Sequence, residues 1–274
     1  MRATLRVPFV NLIWRHLATM PGMLAWTGAV VKPLHRTAAL REAAAALRGA
    51  VGQLNGTLQP GCVFDAAGVG ADDRRVIATM LRQYNAANAV NFLSLLVVQA
   101  ILVVATPGHA RPPGGDLPAP EVPPALPRLL GLQELPPSLG RLILALDRFG
   151  RLEDGDAVAS LYRHLAHWPG FLAIVHAALS VPHATGALRA DHERPRSQAR
   201  RLMEERLLPF GEPPCTESRA GQGGGGGDRD IHAADDRPHG QHGRDHAGAA
   251  ARRLGAGYTS AFTCSSVSPL ISSP

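Results

Sequence analysis

The chain has 274 residues, with 28 basic and 22 acidic side chains, a formal charge of +6 and 45% hydrophobic residues. That is enough apolar material for one large domain or two small ones, and it excludes collagen-like and wholly disordered chains. The positive excess is scattered arginine with no Lys/Arg block interleaved with aromatics, so no nucleic-acid partner is expected. Three widely spaced cysteines, Cys62, Cys215 and Cys264, make neither a disulfide framework nor a CxxC zinc site. A reducing, cytoplasmic setting is the expectation, and no signal-peptide pattern is read at Arg2 and Arg6, because Asn11, Arg15 and His16 interrupt the apolar stretch that follows.

No segment alternates with period two. The apolar stretches are rich in Leu and Ala at helical spacing, so the expected class is all-α. Four blocks follow in chain order: a first helical repeat over 1–106, a Pro-rich linker over 107–137, a second and incomplete helical repeat over 138–210, and a tail over 211–274. The linker carries ten prolines in 31 positions, a density that forbids helix and favours extended backbone.

The repeat is read from residues 13–26, IWRHLATMPGMLAW, and 161–174, LYRHLAHWPGFLAI, which share eight of fourteen residues at an offset of 148. In each copy a helix is expected to stop before Pro21 or Pro169. A second helix should restart with Pro and Gly in its opening turn. The expected architecture is therefore two pseudo-twofold-related halves. His16 and His164 occupy the same slot, which suggests a shared structural role.

A long helix is expected from an N-cap pair at Asp72 and Asp73 towards Ala105. Its last seventeen residues, 89–105, are of borderline length for a membrane span, but Asn91, Ser94 and Gln99 interrupt them, so a buried core helix is favoured. Tyr84, Asn88, Asn91 and Leu95 fall on one face of it. Two amides and a phenol there are costly to bury unpaired. They form either an interhelix polar contact or a pocket wall that orients a water or small polar ligand.

These segments resemble the group I 2-haloacid dehalogenases, over roughly residues 5–210: RVPFVNLIWRHLATMPG at the start, YNAANAVNFL on the long helix and ASLYRHLAHWP in the second copy. The resemblance implies an all-α fold of two related halves with the active site between them and no metal or organic cofactor. It further implies a water, held by an Asp and an Asn, that attacks the halogen-bearing carbon of a D- or L-2-haloalkanoic acid directly. Asn88 falls on the catalytic asparagine, and Asn91 replaces a pocket tyrosine. Phe9, Asn11 and Leu12 fall on one pocket wall and Ala159 and Ser160 on another. Where active members have the catalytic aspartate, this chain has Leu161.

Leucine cannot take the proton of an attacking water. His164 and Asp156 are the nearest groups that could stand in for the missing base. The resemblance thus leaves open a family member without hydrolysis that keeps a pocket for a small 2-substituted carboxylate, a hydrolase with a displaced base, or a membrane-associated helical protein. His232, His239, His242 and His246 lie in the tail beside a Gly223–Gly227 run, without metal-ligand spacing, so no metal site is expected and solvated disorder is. A one-base shift of reading frame near 213–223 would turn this tail into an apolar, helix-compatible segment.

Overall fold

The computed structural model describes residues 12–50, 61–103, 124–150 and 158–208. Among them there are helices and no strand. The first group is α1 (Leu12–Ala18), α2 (Met23–Leu34), α3 (Ala38–Ala50), α4 (Gly61–Ala66) and α5 (Ala71–Val103). The second is α6 (Pro137–Phe149), α7 (Ser160–Leu165), α8 (Pro169–Ala184) and α9 (Ala187–Arg206), preceded by a single 3-10 turn at Leu132–Glu134.

Local chemistry sets the helix ends. Thr37 caps α3: its hydroxyl accepts the Leu40 N–H and donates to the Leu34 carbonyl. The cap of α5 differs from the expected Asp72–Asp73 pair. Gly70 is the capping residue, and Asp73 reaches back from the first turn to accept its N–H at 3.3 Å. Pro137 opens α6 and Pro169 opens α8, where a missing N–H costs nothing.

The two Pro-Gly turns are not alike. Pro169 and Gly170 lie inside the first turn of α8, as expected. Pro21 and Gly22 instead stay outside α2, with Gly22 left-handed at φ 73°. Glycine has no Cβ to oppose that conformation, so the helix start slips two residues.

Two apolar cores form. In the first, Trp14 and Leu17 of α1, Val31 of α2, Leu40, Ala43 and Leu47 of α3 and Phe92, Leu93 and Val98 of α5 meet Ala199, Leu202 and Leu207 from the end of the second half. In the second, Ile143 and Leu146 of α6, Leu161, Tyr162 and Leu165 of α7 and Phe171, Val175 and Leu179 of α8 enclose Phe64 of α4 and Ile77, Met80, Leu81 and Tyr84 of α5.

Helix α5 therefore serves both cores. Its N-terminal half packs into the second core and its C-terminal half into the first, with the change between Tyr84 and Ala87. Helix α9 likewise joins both, through Leu188 and Ala199. A helix that buries different faces at its two ends shows no single apolar stripe. By length and composition α5 could cross a membrane. Its apolar residues at both ends pack into the two cores.

Candidate functional site

The site region is the stretch of α5 where the cores meet, together with the start of α7. Tyr84 is buried in the second core, and its hydroxyl lies 2.6 Å from Nδ1 of His164 on α7. The rings meet edge to face at 5.8 Å. Burial first, then the nearby His167 and Arg163, depress the His164 pKa to about 4. His164 is thus a neutral imidazole at pH 7. Its Nδ1 shares one hydrogen bond with the Tyr84 hydroxyl.

One turn along α5, Asn88 is half-buried, as is Asn85. Asn91 is fully buried, and its Oδ1 accepts the indole N–H of Trp14 at 3.0 Å. Its Nδ2 is buried with no hydrogen-bond partner. A further turn on, Ser94 donates to the Val90 carbonyl at 2.8 Å and stands 2.8 Å from His35 Nε2. Since the serine proton is committed to Val90, His35 carries its proton on Nε2 and donates.

The polar face of α5 thus divides. Tyr84 clasps α7, Asn91 clasps α1, Ser94 meets His35 beyond the end of α2, and Asn88 lies between the first two clasps.

At the start of α7, Ala159 and Ser160 are half-buried, while Leu161 is 3% exposed and packed in the second core. The Ala159 N–H is held at 2.9 Å by Oδ1 of Asp147, a carboxylate that is 1% exposed on α6. That bond ties the backbone just before α7 to α6. Sequence reasoning passed over Asp147. Its signal is an acid beside Ile143 and Leu146 on the buried face of α6.

His16 and His164 do not share a role. His16 is exposed on α1, whereas His164 is buried against Tyr84. Phe9, Asn11 and Asp156 lie outside the described residues, as does the side chain of Leu12. The tail histidines lie outside them too. Among the described residues no three His, Cys, Asp or Glu side chains come together as metal ligands.

No protein-family model matches the sequence, and no curated protein matches it. Solved structures do. A D-2-haloacid dehalogenase mutant in complex with D-2-CPA superposes with a TM-score of 0.69 at 15% identity, over 98% of this chain and 86% of that one. The D-2-haloacid dehalogenase complex with L-LA gives 0.68 at 15% identity, over 98% and 87%. A further D-2-haloacid dehalogenase mutant gives 0.70 at 16% identity, over 98% and 86%.

The chain has the fold of D-2-haloacid dehalogenase. Leu161, on α7, is an apolar side chain packed inside the second core.

Proposed function

We propose that this chain binds a small 2-substituted carboxylate at Asn88, where the two cores meet, and does not hydrolyse its carbon–halogen bond. Leu161 carries the reading. It lies at the first turn of α7, 3% exposed and packed among apolar neighbours. It has no lone pair, and a base is what makes water a competent nucleophile.

His164 does not replace it. Its Nδ1 is engaged with the Tyr84 hydroxyl, and its low pKa makes it a weak base. Asn88 can orient a water or a carboxylate through its amide, but it cannot accept the proton. Binding without turnover is what such a site can do. The two-repeat organisation, with Leu161 in the second copy, and a cytoplasmic setting belong to the same proposal.

Halide release from D- and L-2-chloropropanoate, measured beside binding of the same compounds by ligand-observed NMR, tests it. Saturation transfer to the ligand that is lost in Asn88→Ala, with no halide release, is the expected result. Absence of binding removes the pocket, and sustained halide release removes the missing base.

A second reading has one observation in its favour. Asp147 is a buried carboxylate one hydrogen bond from the Ala159 N–H, so a displaced base is chemically available at the start of α7. In that case halide release would be present in this chain and lost in Asp147→Asn.

A further inference from the structure

Residues 124–130, which lead into the 3-10 turn, form neither helix nor strand, and Leu126 and Leu130 pack on the second core. No backbone–backbone hydrogen bond joins these residues to the other described ones. Three side chains hold them instead, each through a main-chain carbonyl. Gln83 of α5 donates its amide N–H to the Pro124 oxygen at 3.0 Å, and Arg163 of α7 donates its Nε–H to the Leu130 oxygen at 2.7 Å. His167, just after α7, stands with Nε2 at 2.8 Å from the Arg128 oxygen. A carbonyl can only accept, so His167 carries a proton on Nε2 and donates it.

These attachments bracket the Tyr84–His164 contact. Gln83 precedes Tyr84 on α5, and Arg163 precedes His164 on α7. The segment and the contact thus join the same two helices, and Tyr84, Leu126 and Leu130 belong to one apolar cluster. The attachment is built to release. No donor reads a side chain of the segment, and Gln83 holds it at a cost, because its Oε1 is buried without a hydrogen-bond partner. That oxygen regains water when the segment lifts, which offsets part of the bonds lost. Pro124 and Pro127 stiffen the segment. Its far end is anchored in the 3-10 turn, where Glu134 accepts the Gly131 N–H and pairs with Arg128 at 2.8 Å.

We infer that residues 124–130 are a strap that opens and closes over the Tyr84–His164 pair, and that Gln83, Arg163 and His167 set how often it opens. Closed, the strap keeps water from the pair and leaves the phenol and the imidazole to each other. Open, it gives both groups to solvent. The strap works in this way whether or not the chain binds a carboxylate, since none of its contacts involves Asn88 or Leu161.

Two rates measured on the full chain at pH 7 test the strap. Trypsin cleavage between Arg128 and Leu129 reports its opening, and modification of His164 by diethyl pyrocarbonate, located by tandem mass spectrometry, reports exposure of the pair. In Gln83→Ala both rates should rise about tenfold relative to cleavage after Arg201 on α9, because one lost hydrogen bond shifts the opening equilibrium by about that factor. His167→Phe repeats the test from the other helix should the first variant misfold. His167→Gln, which keeps a donor, should stay near the rates of the parent. Faster cleavage with His164 modification unchanged would overturn the proposal, since the segment would then move without uncovering the pair. So would unchanged rates at both sites in both variants.

Discussion

The Tyr84 hydroxyl and His164 Nδ1 stand 2.6 Å apart, and this contact ties the long helix α5 to the last turn of α7. Burial of that imidazole, then the nearby His167 and Arg163, hold its pKa down to about 4. Folding therefore depends on pH. The unfolded histidine titrates near 6.5 and the folded one near 4. Below 6.5 the unfolded state binds the extra proton, so stability is complete above that pH and is lost as pH falls towards 4. His192, also buried with a lowered pKa set chiefly by burial, acts in the same direction. Urea midpoints from pH 7.5 to 4 should fall, and His164→Gln should flatten part of the slope. An unchanged slope in His164→Gln would refute the assignment.

The Trp14–Asn91 pair offers a cleaner energetic test. The Asn91 amide nitrogen is already unpartnered, so Trp14→Phe leaves its oxygen unpaired as well. Loss of that buried bond should cost about 1–3 kcal/mol. Asn91→Leu orphans the indole instead. The double variant removes both partners and should recover part of the loss, giving a measurable coupling energy in a double-mutant cycle. Strict additivity would show that the two side chains do not depend on one another.

Glycine substitutions should separate the two turns. At Gly170 an added methyl meets backbone rather than a yielding side chain, so Gly170→Ala should cost about 3 kcal/mol or more. Gly22→Ala finds open space but inherits φ 73°, a left-handed conformation that costs about 1–2 kcal/mol. Thermal melts rank the pair. A reversed order would mean that the α4–α5 connection gives way at Gly170.

Much of the fold was legible in the sequence for a simple reason. Helical periodicity and proline placement are local, and they mark α1, α5, α7 and α8 without knowledge of partners. What the sequence could not reveal depends on partners. Asp147 reads as a surface acid until it is seen buried and holding the Ala159 N–H before α7. His16 and His164 look equivalent in the repeat, yet α5 brings Tyr84 to only one of them. The start of α2 slips past Pro21 because Gly22 can turn left-handed.

The amide face of α5 was visible as a stripe, but not its division between two cores. Periodicity places Tyr84, Asn88 and Asn91 on one line. Only packing shows that Tyr84 belongs to the second core and that Asn91 bonds Trp14 of the first. Asn88 lies on that line too, and the resemblance to the haloacid dehalogenases is what singles it out from its neighbours.

Position 161 can be tested by restoring the acid. Leu161→Asp places a carboxylate where a side chain is 3% exposed, so the variant should melt lower than the parent. If 161 faces the ligand at Asn88, the variant should gain trace halide release. If the added carboxylate only destabilises, with binding intact and no release, position 161 does not reach the reacting carbon.

Halide release by the unaltered chain tests the central proposal most directly. General-base assistance is worth about 10²–10⁴-fold, so its absence should leave nothing visible above the buffer rate. With D- and L-2-chloropropanoate at saturating concentration, followed by chloride electrode or ion chromatography, the expected result is no release beyond buffer, while the same sample shows binding that Asn88→Ala removes. Multiple-turnover chloride release with Leu161 in place would contradict it.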